Sequence, residues 1–196
     1  MKDEWYADKR DLIKWGGIAH LCNTTGVNHV IQAAYFRESP RLTLQFNSEE
    51  VLLPSAVVSH FRDIEGIRSL GTNIGVTIEV VKSEFNKQSR EAYTEAICQL
   101  IQRHRQRQIV FLDTDTGLAT KNAKAEHIKP EEIYLIWQSL KRGDILVLYQ
   151  HKFREKNWRQ IRKEQFAEAC NLNKGRISEW SAPKIADDVV FFFCEK

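Results

Sequence analysis

The sequence predicts an α/β protein, one three-layer domain over residues 1–196 with a mainly parallel central sheet, helices on both faces and a C-terminal antiparallel strand pair. Three observations support this. Short apolar runs at 109–112 and 145–149 stop abruptly at polar residues, as buried parallel strands do. Segments of helical periodicity alternate with the strand-like runs. The 196 residues, 42% of them apolar, suffice for one core and make a second improbable.

Capping and turn residues set the limits of the elements predicted in the first half of the chain. Asp8 and Asp11 can cap a helix whose apolar stripe has helical spacing, and Gly26 ends it. Pro54 and Ser55 begin another helix. The elements predicted after the first helix are a strand at 30–36, a hairpin of 41–46 with 51–53, a helix from 54 to about 69, a loop at 71–75, a strand at 76–81 and a helix from 89 to about 107.

The second half of the chain continues the alternation. The apolar strand 109–112 is followed by a polar loop from Thr114 to Lys129, which is long for a connection between two elements. Pro130 begins a helix that Gly143 closes. The remaining predicted elements are a strand at 145–149, a basic helix from about 158 to 171, and closing strands near 177–180 and 189–194.

The composition excludes several classes of protein. No apolar run approaches the roughly 20 residues that span a bilayer, and no N-terminal apolar h-region is present, so we expect a soluble, cytoplasmic protein with no membrane partner. The four cysteines form no CxxC pair, and the six histidines show no HxxxH or HExxH spacing. We therefore predict no metal site and reduced core thiols, and the oligomeric state stays open.

Polar side chains follow the two apolar runs that carry the fold prediction. Ligands of open α/β sheets bind beyond the carboxyl ends of parallel strands, so we expect the chemistry at this edge. The candidate catalytic residues are Asp113, Asp115 and His151. The candidates for holding a substrate are Gln150, Tyr149, Tyr35, Trp15 and Thr116. The alternative is that the two carboxylates only cap a turn and that the second cluster is a structural strand end.

Cations and aromatic side chains are interleaved after the second apolar run. The net charge is only +3, but Phe153 and Trp158 stand among the lysines and arginines of segment 152–163. This texture is typical of a nucleic-acid surface, and a solvated helix face is the alternative. The side chains expected on a nucleic-acid backbone are Lys14, Arg37, Lys152, Arg154, Arg159, Arg162 and Lys184.

The succession of elements resembles the later half of the class I methyltransferase fold. The fourth strand of that fold often ends in an Asp-Pro-Pro-Tyr-like motif, and its last two strands form an antiparallel pair. Residues 112–115, Leu-Asp-Thr-Asp, match the motif, and 189–194 match the final strand. The first strand of that fold runs into a glycine-rich turn that admits the cofactor, whereas Tyr35, Phe36 and Arg37 stand there in this chain. We therefore expect no cofactor and no saturable binding of S-adenosylmethionine.

A polar sheet edge beside a basic, aromatic surface favours cofactor-free chemistry on a nucleic acid, and hydrolysis of an N-glycosidic bond fits best. The chain is also similar to bacterial anti-phage DNA glycosylases that remove modified cytosine, in stretches 111–118, 148–151 and 183–191. The resemblance implies a hydrolase that excises a modified base in anti-phage defence. Its partner would be DNA, double-stranded with the target base flipped out.

Other functions stay open. A nucleic-acid methyltransferase dependent on S-adenosylmethionine is the first alternative. A metal-dependent nuclease would need clustered acids, for which Asp113, Asp115 and Glu79 with Lys82 are the candidates. Glu79 and Lys82 lie on opposite faces of their predicted strand, which weakens the nuclease hypothesis. A DNA-binding module without catalysis is the last alternative.

Overall fold

The structure is a computed structural model that describes residues 8–37, 43–46, 48–57, 66–81, 83–119 and 123–196. Its centre is a six-stranded mixed sheet between two layers of helices. The predicted α/β fold class is therefore confirmed. Among the residues described, none of the helices combines the length and the apolar character needed to cross a membrane.

The described helices are α1 (Lys9–Thr25), α2 (Ile67–Asn73), α3 (Arg90–Arg103), α4 (Pro130–Ser139) and α5 (Trp158–Ala169), with a 3-10 turn at Lys174–Arg176. The described strands are β1 (His29–Ala33), β2 (Thr43–Phe46), β3 (Glu49–Leu52), β4 (Thr77–Val81), β5 (Ile109–Leu112), β6 (Gly117–Leu118), β7 (His127–Ile128), β8 (Ile145–His151), β9 (Ser178–Ala182) and β10 (Ala186–Glu195). β2 and β3 form the predicted hairpin, and β6 pairs with β7 inside the long polar loop.

The strand order of the main sheet is β4-β1-β5-β8-β10-β9. β4, β1, β5 and β8 are parallel, and β10 runs antiparallel to both of its neighbours. The antiparallel pair predicted at the C-terminus is thus confirmed. The chain passes from β1 to β4 on one side and later to β5 on the other, so a topological switch point lies between β1 and β5. Ligands of open α/β sheets bind in the crevice outside the carboxyl ends of such strands.

The two faces of the sheet bury separate parts of the core. Ile31 packs in the cluster that includes α3, α4 and α5, whereas its neighbour Val30 packs in the cluster that includes α1 and α2. Because both faces are covered, β5 is apolar throughout and β8 is apolar over its first four residues. α1 also packs against β9, where a Cβ at Gly17 would lie 2.1 Å from the Trp180 indole nitrogen, so glycine permits the close approach.

Several predicted limits are corrected. β1 ends at Ala33, three residues earlier than predicted, because Tyr35 has a φ of +46° that breaks the extended chain. α2 continues to Asn73 through the predicted glycine loop, since Gly71 packs in the helix with no room for a side chain beside β4. α3 ends about four residues before its predicted limit. Half of the helix predicted from residue 54 to about residue 69 falls on 58–65, outside the described residues.

Candidate functional site

The loop after β5 begins the polar edge of the sheet. The Asp113 N–H donates to the carbonyl of Ala33 at 2.9 Å, which ties the loop to the end of β1. The Asp113 carboxylate accepts a hydrogen bond from Gln32 Nε2 at 2.8 Å and lies 2.9 Å from Lys14 Nζ. Asp113 is fully buried, at 0% exposure. Its carboxylate is therefore an internal anion with fixed partners.

Lys14 lies buried between two carboxylates. Its ammonium is 2.9 Å from an oxygen of Asp11, one turn earlier on α1, and 2.9 Å from Asp113. It also lies 5.1 Å from the centre of the Tyr149 ring. Burial alone would lower the pKa of Lys14, but the two carboxylates outweigh burial and hold that pKa above its usual value. Lys14 is therefore a charged residue inside the protein.

A second ion pair, with a buried carboxylate and a partly exposed guanidinium, lies next to the first. Asp115 pairs with Arg37, which follows β1. Between the two aspartates, the Thr114 hydroxyl accepts a hydrogen bond from the Gly117 N–H at 2.9 Å. Gly117 has a φ of +96°, and a Cβ there would lie 2.4 Å from Gln150 Oε1. Only glycine meets both conditions, so the loop keeps its path against β8.

The end of β8 carries one buried and one accessible polar side chain. The Gln150 amide accepts from the Leu118 N–H and donates to the carbonyls of Thr116 and His151, each at 2.9 Å. Gln150 is 0% exposed and holds the loop to the strand, so it is not a base-reading residue in this structure. The His151 side chain is one-third exposed, and its Nε2 lies 3.2 Å from Asp188 Oδ2.

Arg10 connects α1 to β10 at the same edge. Its guanidinium pairs with Asp188 and lies 3.1 Å from Asp8. Asp8 also caps α1 by accepting from the Arg10 and Asp11 N–H groups at 2.7 and 3.2 Å. Partial burial alone would raise the pKa of Asp188, but the hydrogen bond and charge of Arg10 outweigh burial and lower it. Asp188 is therefore ionised at neutral pH.

These groups surround a cavity of about 330 Å³. It lies between the first turns of α1, the loop after β5 and the end of β8. The residues that line it are Asp8, Arg10, Lys14, Thr114, Asp115, Thr116, Tyr149 and His151. The predicted site residues that the fold gathers here are Lys14, Asp115, Thr116, Tyr149 and His151.

Two aromatic residues that were expected to stack on a base lie elsewhere. Tyr35 is 1% exposed, and its ring centre lies 4.8 Å from that of Phe85 and 5.0 Å from that of Tyr93. Trp15 packs edge-on against Phe111 at 6.1 Å and borders an apolar groove between α1 and α2. Neither residue lines the cavity, because both rings belong to the core.

The same aromatic cluster fills the space beyond β1 where a class I methyltransferase holds its cofactor. The Phe85 N–H donates to the carbonyl of Phe36 at 2.7 Å, which closes the chain over the end of the strand. The Tyr93 hydroxyl accepts from the Tyr35 N–H at 2.8 Å and donates to the Val81 carbonyl at 2.9 Å. These backbone groups are thus satisfied by the protein itself. The residues present here do not fit S-adenosylmethionine.

The basic residues of segment 152–163 that were predicted to contact a nucleic-acid backbone differ in their exposure to solvent. Lys152 and Arg154 are exposed, and Arg159 is half-buried. Arg162 is 2% exposed, and its guanidinium stacks 4.1 Å from the centre of the Phe153 ring. The prediction that Arg162 contacts a backbone is corrected, because this side chain is packed inside the protein.

The remaining predicted backbone contacts are also divided. Lys14 is paired with Asp113 inside the protein, and the partly exposed Arg37 is paired with Asp115 of the cavity wall. Lys184 is exposed in the turn between β9 and β10, beyond the end of β8.

The site also contains residues that sequence reasoning missed. Arg10 and Asp8 line the cavity, and Asp188 closes it beside His151. Arg10 could have been found, because it lies four residues before Lys14 and residues at this spacing share a helix face. Asp8 was predicted only as a cap. No local pattern links Asp188 to α1, since the two segments are joined only by the fold.

The acids suggested for a metal-dependent nuclease do not come together. Glu79 contacts His29 and His104 toward the amino ends of the strands, whereas Asp113 and Asp115 follow the carboxyl end of β5. Lys82 lies outside the described residues.

Comparison with known proteins assigns no family to this chain. No protein-family model matches the chain, and no curated protein is significantly similar to it in sequence. A solved structure with some likeness is described as a putative rRNA-methylase from Clostridium thermocellum; it is 9% identical, with a TM-score of 0.39, over 93% of this chain and 96% of that one. A TM-score of 0.39 does not indicate a shared activity.

The predicted hydrolysis of N-glycosidic bonds is corrected, because the comparisons lend no support to the resemblance to glycosylases or to anti-phage defence. The geometry supplies a physical reason. Asp113 is paired with buried Lys14 and Asp115 with partly exposed Arg37, and both carboxylates are themselves buried, so neither is placed as an exposed carboxylate that could activate water.

Proposed function

We propose that this α/β protein binds nucleic acid, with the phosphate backbone on exposed cations at the carboxyl edge of the sheet and one nucleotide base in the cavity between α1, β5 and β8. The supporting observation is that the described cations at this edge are of two kinds, paired and unpaired. The cations of the cavity wall are paired with carboxylates, whereas Lys152, Arg154, Lys156 and Lys184 outside it are exposed and form no ion pair within the described part of the chain.

The exposed cations form what we call the rim. Its members are Lys152, Arg154, Lys156 and Lys184. The first three directly follow His151, which lines the cavity. The Lys152 N–H donates to the carbonyl of Asp188 at 2.7 Å, so the segment is fixed beside β10. Exposed lysines and arginines that neutralise phosphates release condensed counterions, and this release drives binding without regard to sequence.

The cavity suits a small planar ligand. Its volume of about 330 Å³ is at the lower end of the range for small-molecule sites, about 300–1,000 Å³. Thr114, Thr116 and His151 in its wall carry groups that can donate or accept hydrogen bonds at a base edge. A base that leaves a stack to enter a pocket costs a few kcal/mol, and such contacts offset that cost.

Methyl transfer to nucleic acid is the second candidate. The antiparallel pair formed by β10 with β8 and β9 favours it, because the class I methyltransferase fold ends in such a pair. The aromatic cluster of Tyr35, Phe85 and Tyr93 opposes it. Calorimetry with S-adenosylmethionine separates the two candidates: we expect no saturable binding, and a 1:1 complex at micromolar affinity would place methyl transfer first.

The salt dependence of binding tests the rim. Affinity for duplex DNA, single-stranded DNA and RNA is measured over a range of salt for the chain and for the triple variant Lys152→Ala, Arg154→Ala and Lys184→Ala. Each phosphate that a variant no longer neutralises should reduce the magnitude of the log–log slope by about 0.7 to 0.9, so the triple variant should reduce it by about 2 to 3.

The matched control removes the same charge from the opposite edge of the sheet. Arg103, Arg105 and Arg142 are exposed near the amino ends of β5 and β8, and their triple replacement by alanine should leave the slope unchanged. Equal effects of the two triple variants, or none from the rim variant, would refute this placement of the backbone.

A fluorescent base tests the cavity. 2-Aminopurine within an oligonucleotide should brighten on binding, because a base in the cavity is no longer stacked. The substitution Thr116→Tyr fills the cavity and should abolish the brightening while the rim keeps the salt slope. Thr72→Tyr, at an exposed position on α2, is the control. Unchanged brightening in Thr116→Tyr would show that the base goes elsewhere.

A further inference from the structure

Three side chains with metal-binding atoms converge at the edge of the sheet formed by β1 and β4. Glu79 Oε1 lies 2.8 Å from His29 Nε2 and 2.9 Å from His104 Nε2. One ligand atom from each residue lies within 4.8 Å of the other two. The two imidazole ring centres are 4.1 Å apart. This cluster is separate from the cavity at the carboxyl edge, and no residue is shared.

The fold, rather than sequence spacing, brings the three together. His29 is the first residue of β1 and pairs with Thr77 of β4, so Glu79, two residues on, lies on the same face of the sheet. His104 follows the last residue of α3 directly. The three residues thus come from two neighbouring strands and a helix end, so HxxxH or HExxH spacing, whose absence led to the prediction of no metal site, could not reveal them.

We propose that His29, Glu79 and His104 bind one divalent transition-metal ion, with Zn²⁺ the preferred ion. Imidazole nitrogen is a favoured ligand of zinc, and two histidines with one glutamate form a known three-residue ligand set that leaves a fourth position to water. The His104 and Glu79 side chains are 25% and 33% exposed, so water can reach that position.

The three side chains would have to move only slightly to bind a zinc ion. Zinc bonds to nitrogen and oxygen are about 2.0–2.2 Å, so ligand atoms at the corners of a tetrahedron lie about 3.3 Å apart. The two contacts of Glu79 Oε1 would therefore open by roughly half an ångström.

Without a metal, the cluster crowds two imidazoles on one carboxylate oxygen. His29 is 1% exposed, whereas His104 and Glu79 are partly exposed, so an ion could enter from the side of these two residues. Neutral imidazole is the form that binds a metal ion.

The position of the ion defines its role. It would join β1, β4 and the end of α3 on the side away from the cavity, so its effect should be on stability and not on the binding of a nucleic acid. Metal that binds the folded chain more tightly than the unfolded chain raises the melting temperature by mass action. The proposal therefore stands or falls independently of the proposed function.

The test uses the untagged chain, freed of metal by a chelator. Zinc is titrated in competition with a chromophoric chelator, and Co²⁺ absorption reports the coordination geometry. We expect one ion per chain, an intense visible Co²⁺ spectrum of tetrahedral type and a higher melting temperature with Zn²⁺. His104→Ala and Glu79→Gln should each weaken binding by about 100-fold or more, since loss of a mere outer-shell partner already costs 10- to 100-fold.

His20→Ala is the matched control, because His20 is exposed on α1 and lies outside the cluster. It should leave the stoichiometry and affinity unchanged. Circular dichroism of each variant shows whether it is folded, and two independent ligand variants guard against the loss of one. The proposal is overturned if the chain binds no stoichiometric ion, if both ligand variants bind as the original does, or if His20→Ala reduces binding as much as they do.

Discussion

Replacement of Lys14 by methionine removes the ammonium at the centre of the cavity wall and keeps most of the aliphatic stem. It leaves the carboxylates of Asp11 and Asp113 without their shared cation. Loss of one partner from a buried ion pair costs about 3–5 kcal/mol. Asp113 keeps its hydrogen bond from Gln32, so we expect the lower end, about 3 kcal/mol. Small proteins unfold with about 5–15 kcal/mol, so this loss is a large fraction of the total.

The loss should depend on pH in a definite direction. A buried carboxyl group without a cation favours its protonated form, because burial disfavours the charge. The unfolded variant releases protons more readily than the folded one, so the stability of Lys14→Met should fall as pH rises. We therefore expect a larger loss at about pH 8 than at about pH 4.5.

Urea unfolding followed by circular dichroism measures the free energy at both pH values. The double variant Lys14→Met with Asp113→Asn should recover more than half of the loss, since the uncompensated charge is then gone. Lys9→Met, at an exposed position five residues before Lys14 on α1, is the control and should change stability by no more than about 0.5 kcal/mol. A loss below about 1 kcal/mol in Lys14→Met, or no recovery in the double variant, would refute the reasoning.

Three further predictions concern other contacts. Arg90→Met should lower the free energy of unfolding by about 3–5 kcal/mol, because it removes the guanidinium that donates two hydrogen bonds of 2.7 Å to the buried carboxylate of Glu132. A near-neutral result in urea unfolding would contradict this. Gly117→Ala should cost at least about 1 kcal/mol, since its φ of +96° and the nearby Gln150 oppose a side chain; unchanged urea unfolding would contradict this. The lowered pKa of Asp188 gives stability at neutral pH that is lost as pH falls through its titration, so Asp188→Asn should flatten the acid side of the curve of melting temperature against pH. An unchanged acid side would show that Arg10 does not stabilise that carboxylate.

The fold was predictable wherever local pattern and tertiary packing agree. β5 and the first four residues of β8 are apolar because both of their faces are covered, and each apolar run ends at polar residues that lie at the carboxyl edge of the sheet. Their parallel pairing, with Leu112 opposite Leu148, confirms that the polar residues after each strand come together. The end of β1 was less predictable, because the positive φ of Tyr35 depends on the aromatic cluster that receives its ring.

The site was predictable in location and much less so in chemistry. Asp113 and Asp115 stand where a ligand-facing carboxylate is expected, but their partners Lys14 and Arg37 come from distant segments. The sequence predicted that these two cations contact a nucleic-acid backbone, because no local pattern links Lys14 and Arg37 to the acids that follow β5. The buried amide of Gln150 illustrates the same limit, because a strand-end residue is equally suited to reading a base and to fixing a loop.

The charges at the carboxyl edge indicate which part of a nucleotide enters the cavity. Five carboxylates and three permanent cations form the described ion pairs around it; these residues are Asp8, Asp11, Asp113, Asp115 and Asp188 with Arg10, Lys14 and Arg37. With His151 neutral, this set carries two net negative charges, which oppose the entry of a phosphate. The rim cations, by contrast, are exposed and face no carboxylate partner among the described residues. Phosphates should therefore remain on the rim, where charge attracts them, while an uncharged base can occupy the cavity and hydrogen-bond to its hydroxyl and imidazole groups.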